Sequence, residues 1–289
     1  MRTHSPKNCR HESLLTALVS ILLAACLGCG PGPYRIVEAK PRERTGKVFY
    51  LDGAGGGGSL VNWGRDLIDT LRKSSKSLTV TNFSWQIGLG AVLDQQASVE
   101  YKREQAAKLA SQIREYRRKE PLGEVYLVGL SAGSVVVLYA LEQLPEDCQV
   151  DGVILLASSV CASYDLSQAL ARTRGKMYVF TSSKDAVLNG LVPLTGTADR
   201  KYCGLDIAGL RGFRMPEGLA EDAQREYRKV VTIRWKPEYE RLGHNGGHTD
   251  CVKASFVQVE VAPLLTTPPR ALAQGEIDVS TTNEHHEVP

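Results

Sequence analysis

The pentapeptide Gly129-Leu130-Ser131-Ala132-Gly133 sets a serine between glycines two positions to either side, a pattern in which a hydroxyl can be presented on a tight turn as a nucleophile. So short a pattern arises readily by chance, and its surroundings decide what it means. The apolar run Val125-Tyr126-Leu127-Val128 leads directly into it, and an apolar stretch long enough for a buried helix follows. A strand, a sharp turn and a helix in that order would hold the serine in a strained backbone, with the positive end of the helix beneath the point where an oxyanion develops. A serine used this way needs a base, and the base needs an orienting acid. Of the 6 histidines, His4, His11, His285 and His286 lie near the chain ends, which leaves His244 and His248 within Gly243-His244-Asn245-Gly246-Gly247-His248-Thr249-Asp250. The candidate acids follow the apolar run 176–181: Asp185 first, then Asp199 and Asp206 farther along the same connection.

Taken together, these residues resemble the α/β-hydrolase fold, whose serine hydrolases carry nucleophile, acid and base in the chain order Ser, Asp, His. The resemblance spans about residues 47–265 and implies a catalytic triad of Ser131, Asp185 and His248. Asp185 follows a strand at its C-terminal end, where the family carries its acid, and both histidines fall in the loop that carries its base. His248 is preferred because Gly246-Gly247 lets the loop turn sharply and point the ring inward, with His244 in reserve. The resemblance also implies an oxyanion hole. Ala132 would supply one backbone amide, and Ala54 or Gly55, in the glycine-rich segment 53–58, the other. Asp52 stands where the family often has the histidine of His-Gly-Gly-Gly, a departure that bears on the register of this loop.

The same segment reads Gly53-x-Gly55-x-x-Gly58 after a strand, as a dinucleotide-binding fold would. That fold needs an acid at the end of the next strand, and residues 79–86 contain none. The serine-hydrolase reading therefore stands ahead of it, and neither a metal nor an organic cofactor is implied.

Bringing side chains together from positions 131, 185 and 248 requires a scaffold, and the hydrophobic patterning supplies one. Strand-like runs at Val48–Asp52, Leu78–Trp85, Val125–Gly129, Gly152–Ala157, Lys176–Thr181 and Val230–Trp235 alternate with helix-like segments at Val61–Lys73, Val99–Arg118, Ala132–Leu144, Leu166–Thr173 and Ala254–Leu265. This alternation predicts an α/β domain of the α/β-hydrolase type, with a mainly parallel sheet of about six to seven strands and helices on both faces. In the second helix Leu109, Ile113 and Tyr116 share a face, while Lys102, Arg103, Arg114 and Arg117 are expected to face water. Val135, Val136 and Val137 favour strand locally, but an apolar run on all sides fits a helix buried against a sheet. The connection from Ala186 to Arg228, with Leu188, Leu191, Leu210, Phe213 and Met215, is the expected substrate wall.

The chain has 289 residues, of which 43% are hydrophobic and 23% charged, an ordinary balance for a globular protein of one domain. Its net charge is +3, and the three basic and one acidic side chains of residues 1–25 account for two of these, so nucleic-acid binding is disfavoured. Those first residues read as an export signal: Arg2, Lys7 and Arg10, then an apolar run from Leu14 to Ala25 that is too short to span a bilayer. Leu23-Ala24-Ala25-Cys26 resembles the lipobox of bacterial lipoproteins, which implies lipidation of Cys26, with Cys29 a poorer candidate and a plain secretory leader the alternative. The expected organisation is a signal peptide over 1–25, a tether over 26–46, the hydrolase domain over 47–267 and a disordered polar tail over 268–289. The expected location is the cell envelope, on a membrane. The 7 cysteines are widely spaced and suggest no zinc ribbon. The expected reaction is hydrolysis of a small-molecule or lipid ester, or a related acyl bond, through an acyl-enzyme. A non-catalytic envelope lipoprotein that binds a partner with the same fold is the rival.

Overall fold

The computed structural model describes residues 45–57 and 61–266. The expected signal peptide, Cys26 and Cys29, most of the tether and the tail lie outside the described residues. Six strands form one sheet: β1 (Gly46–Leu51), β2 (Leu78–Asn82), β3 (Glu124–Leu130), β4 (Gly152–Leu156), β5 (Met177–Thr181) and β6 (Val230–Arg234). Their spatial order is β2-β1-β3-β4-β5-β6, and all five pairings are parallel. Parallel pairing forces every connection to cross a face of the sheet, so both faces are covered and the strands are apolar on both sides.

Strict alternation divides the side chains between two cores. Phe49 and Leu51 of β1 join Leu127, Leu155 and Val179 on one face, under α3 (Val99–Lys119), α4 (Gly133–Glu142) and α5 (Ser167–Ala171). Val48 and Tyr50 join Val128, Ile154 and Phe180 on the other, under α1 (Arg65–Ser74) and the C-terminal helical segment 254–266. The valine run settles as helix: Val135, Val136 and Val137 are all fully buried in α4, where packing outweighs the local strand preference.

Several boundaries differ from expectation, each for a local reason. β2 stops at Asn82 rather than Trp85, because the Trp85 indole turns back to donate to the Asp52 carbonyl at 2.8 Å. A short helix, α2 (Ala91–Gln96), stands where none was expected, after two glycines with positive φ, Gly88 and Gly90. Helix α6 (187–195) also was not anticipated, nor were α7 (Ala208–Arg211) and α8 (Glu221–Glu226). Both α6 and the C-terminal segment, α9 (254–266), contain a widened turn, Val187–Leu191 and Val257–Val261. In each the residue before a proline, Val192 or Ala262, donates five residues back, which opens space for a ring at Pro193 or Pro263 that cannot continue the ladder.

Two cations placed in water by the helical periodicity of α3 are instead covered. Arg117 pairs with Asp151 at 2.5 Å and caps the Gln149 carbonyl at 2.8 Å. Lys102 is wholly buried, and its ammonium donates to the carbonyls of Gln95 and Ala198, each at 2.8 Å. Burial, with Arg200 nearby, lowers its pKa from 10.5 to about 8, against the opposing pull of Asp199 and Asp94. Lys102→Met keeps the apolar stem but leaves two buried carbonyls unpaired, so urea unfolding at pH 7 should show a loss of about 1–3 kcal/mol. Between pH 8 and 10.5 the unfolded chain holds a proton on Lys102 that the folded chain releases, so wild-type stability gains with pH. The gap between wild type and Lys102→Met should therefore widen over that interval, and a constant gap would contradict the account.

Candidate active site

Strand order reverses between β1 and β3, and the helices that follow these two strands pack on opposite faces of the sheet, the usual place for a ligand crevice in an open parallel sheet. Ser131 follows β3 directly with φ of 51°, left-handed backbone that a non-glycine residue adopts only under constraint. The constraint is close packing of α4 against the sheet. A Cβ at Gly133 would lie 2.5 Å from the Leu51 carbonyl oxygen, and one at Gly129 would lie 2.9 Å from Cα of Ser134. The spacing of small residues around the serine is thus a packing requirement of the turn. The Ser131 amide is anchored by the Leu156 carbonyl at 2.9 Å, which ties the turn to the end of β4.

The structure brings three of the sequence-predicted residues into one hydrogen-bonded line. His248 Nε2 lies 2.9 Å from Ser131 Oγ, and His248 Nδ1 lies 2.7 Å from Asp185 Oδ2. Asp185 is buried, and its second oxygen accepts the amides of Val187 and Leu188, each at 3.0 Å, so the carboxylate is fixed from both sides. The Ser182 hydroxyl donates to the Gly246 carbonyl at 2.8 Å and joins the loop of the acid to the loop of the histidine. Asp250 shapes that second loop by accepting the amides of Asn245 at 3.0 Å and Gly247 at 2.9 Å.

The reserve residues are engaged elsewhere. His244 is buried between Tyr239, stacked at 6.1 Å between centroids, and Phe256, edge-on at 4.6 Å, and its Nδ1 accepts the Gly246 amide at 3.3 Å. Burial lowers its pKa from 6.5 to about 4, which keeps it neutral as a packing element under the loop. Asp199 accepts the Cys161 amide at 3.1 Å, and Asp206 pairs with Arg214.

The glycine loop after β1 is organised by two carboxylates. Asp52 is fully buried and accepts from the Tyr50 hydroxyl, from the amides of Gly53 and Trp63, each bond at 2.9 Å, and from the Gly57 amide at 2.8 Å. Burial raises its pKa, and these four donors oppose the rise. Asp94, at α2, accepts the Gly55 amide at 2.8 Å and the Ile87 amide at 2.8 Å. Gly55 is accordingly corrected as an oxyanion donor, because its N–H already points at Asp94. The amides of Ala54 and Ala132 have no acceptor among the described residues, and Gly53 abuts Ser131, where a Cβ at Gly53 would stand 3.3 Å from that of the serine. Sequence reasoning missed Asp94, since an acid in a short helix looks like ordinary solvated charge.

A pocket of about 360 Å³ opens beside Ser131 and His248, walled by Ala54, Trp63, Val92, Leu191 and Val192 among others. Only part of the expected wall takes part. Leu191 faces the pocket, whereas Leu188 is buried in a separate small cluster, Phe213 packs on the main core and Met215 is half exposed. Among the described residues no cluster of His, Cys, Asp or Glu could hold a metal ion, and no helix is long and apolar enough to cross a membrane.

Six parallel strands in this order and a serine on the turn after β3 coincide with a match of residues 65–202 to the family model described as alpha/beta hydrolase of unknown function (DUF900). The domain has the α/β-hydrolase fold. That match takes in Ser131 and Asp185 and ends before His248. Among solved structures, this α/β-hydrolase domain is similar to the ydeN gene product from B. subtilis, at 16% identity and a TM-score of 0.42 over 71% of this chain and 88% of that one. It is also similar to a dienelactone hydrolase from Anabaena variabilis, at 17% identity and a TM-score of 0.40 over 78% and 85%. A cutinase-like protein from Cryptococcus sp. matches at 18% identity and a TM-score of 0.37 over 66% and 75%. No curated protein sequence matches the chain.

His244 should reveal itself in acid. His244 is neutral in the folded chain down to about pH 4 but takes up a proton near 6.5 when unfolded, so stability falls as pH drops through that interval. The loss should be on the order of 3 kcal/mol. His244→Gln should flatten this part of the pH–stability curve measured by urea titration, and an unchanged slope would mean that another group causes it.

Proposed function

We propose that the protein is a serine hydrolase that cleaves a carboxylic ester, or a related acyl bond, through an acyl-enzyme intermediate, and that a lipid on Cys26 holds it at the cell envelope. The observation that carries the first part is the unbroken line from the Ser131 hydroxyl through the His248 imidazole to the Asp185 carboxylate, at 2.9 and 2.7 Å. A buried aspartate, an imidazole and a serine raised on a tight turn thus meet beside a pocket.

In this reading Ser131 Oγ attacks the carbonyl carbon while His248 Nε2 takes its proton. Asp185 holds the ring by Nδ1–H and stabilises the imidazolium. The negative charge that develops on the carbonyl oxygen is met by the amides of Ala54 and Ala132, the latter at the start of α4, whose dipole adds to the effect. The imidazolium then protonates the departing alkoxide. Water enters the vacated position and attacks the acyl carbon as His248 takes one of its protons, and the imidazolium then returns that proton to Ser131 Oγ as the acyl group departs as a carboxylic acid.

A fluorophosphonate probe, which phosphonylates activated serines, should label the wild-type protein and fail to label Ser131→Ala. On a short-chain nitrophenyl ester, His248→Ala should lower kcat by about a thousandfold or more, while His244→Ala should stay within about tenfold once its lower stability is allowed for. A folded wild-type protein that neither labels nor hydrolyses would sink the catalytic reading and favour a partner-binding lipoprotein. For the anchor, incorporation of labelled palmitate during growth should disappear in Cys26→Ser, and persistence of the label would refute that assignment.

A further inference from the structure

Three stretches that frame the pocket carry no charge. Residues 53–57 with 61–64, residues 86–93 and residues 186–198 contain no Asp, Glu, Lys or Arg, in a chain of which 23% of residues are charged. The first is the glycine loop, the second leads into α2 and the third contains α6. Each lends an apolar wall to the pocket, and each also turns large apolar side chains to the outside. Leu89 is 72% exposed and Leu194 80%, while Val92, Leu93, Leu191 and Trp63 are about half exposed.

These side chains form a collar of fixed shape. The Gln95 amide donates to the Gly196 carbonyl at 3.1 Å, and the neighbouring Gln96 donates to Thr195, so α2 and the end of α6 are tied across the pocket. Behind them Lys102 clamps the Gln95 carbonyl from the core side. Exposed apolar patches of this kind mark a contact surface. What covers the collar is constrained by where it sits, because its members Trp63, Val92 and Leu191 line the pocket itself, so its occupant must let the substrate pass. A folded protein seated there would close the site. A fluid apolar phase that itself contains the substrate would not, and the lack of charge on all three segments suits an uncharged lipid better than an acidic or basic partner.

We propose that the site acts on esters dissolved in a lipid phase, with the collar resting in the lipid surface and the acyl chain passing directly from it into the pocket. This rests on the serine-hydrolase reading of Ser131, and the test keeps the two apart.

The full chain carrying Cys26→Ser, which removes the proposed acylation, is mixed with phosphatidylcholine vesicles and separated by flotation, with and without the pair Leu89→Ser and Leu194→Ser. Neither leucine lines the pocket or touches the line from Ser131 to Asp185. Since both chains share the same N-terminal segment, the difference between them reads the collar. The pair should reduce vesicle binding at least tenfold, and reduce hydrolysis of a long-chain nitrophenyl ester embedded in the vesicles to a similar degree. The rate on a soluble short-chain ester should stay unchanged. Equal vesicle binding with and without the pair would overturn the proposal and leave the hydrolase reading intact, as would a fall of both rates in parallel. Sedimentation showing a dimer that the pair dissociates would assign the collar to a second copy and overturn it as well. Collar-dependent vesicle binding with no hydrolysis of either ester would instead overturn the hydrolase reading on which the proposal stands.

Discussion

The close approach of α4 to the ends of β1 and β3 governs the rest of the site. Gly133 sits where any side chain would strike the Leu51 carbonyl, and Gly129 where one would strike Ser134, so the helix can begin immediately after the strand. That leaves Ser131 alone to make the change of direction, at φ of 51°. Such a backbone costs about 1–3 kcal/mol. The cost is offset by an anchored amide on Leu156 and by complete burial of the valine-rich helix that follows. The hydroxyl ends up raised above the sheet, facing the loop that carries His248, because the packing permits no other path for the chain.

Around this fixed turn, buried carboxylates act as hubs for loop backbone. Asp185 gathers two amides of α6 on one oxygen and the His248 ring on the other. Asp52 collects the amides of Gly53, Gly57 and Trp63, and Asp94 those of Gly55 and Ile87. A glycine-rich segment has little conformational preference of its own. Here its course is set from outside by two acids, which claim the amides of Gly53, Gly55 and Gly57, while Gly56 donates to the Gly53 carbonyl and the Ala54 amide is left without an acceptor among the described residues. Asp52, which departs from the histidine expected at its position, thereby has a physical role in shaping the same loop.

The fold was legible in the sequence where burial is two-sided. The six strands and the buried helix after Ser131 announce themselves as apolar runs of the right length, and the structure differs from them mainly at the ends. Elements that depend on tertiary partners were not legible. Helix α2 has a single turn and a half, preceded by glycines, and exists through the bonds that Asp94 accepts from the Gly55 and Ile87 amides and that Gln95 and Gln96 donate to the Gly196 and Thr195 carbonyls. The widened turn of α6 reflects Pro193, whose effect on the preceding ladder has no periodic signature. Lys102 illustrates the limit most clearly, since helical spacing placed it on a wet face and only the carbonyls of Gln95 and Ala198 explain why it is dry. The positions of Ser131, Asp185 and His248 could be read because each follows a recognisable strand, whereas the engagement of the Gly55 amide by Asp94 depends on a contact 39 residues away.

The widened turn of α6 has a mechanical consequence. Its first two amides are held by Asp185, while its outer residues Leu191 and Val192 form the pocket wall. Wall and carboxylate are therefore parts of one lever, with its pivot at position 187 and no regular helical ladder to absorb displacement along its arm. Because Gln95 and Gln96 also hold the far end of α6, the wall cannot be displaced without loading the bond between Asp185 and His248.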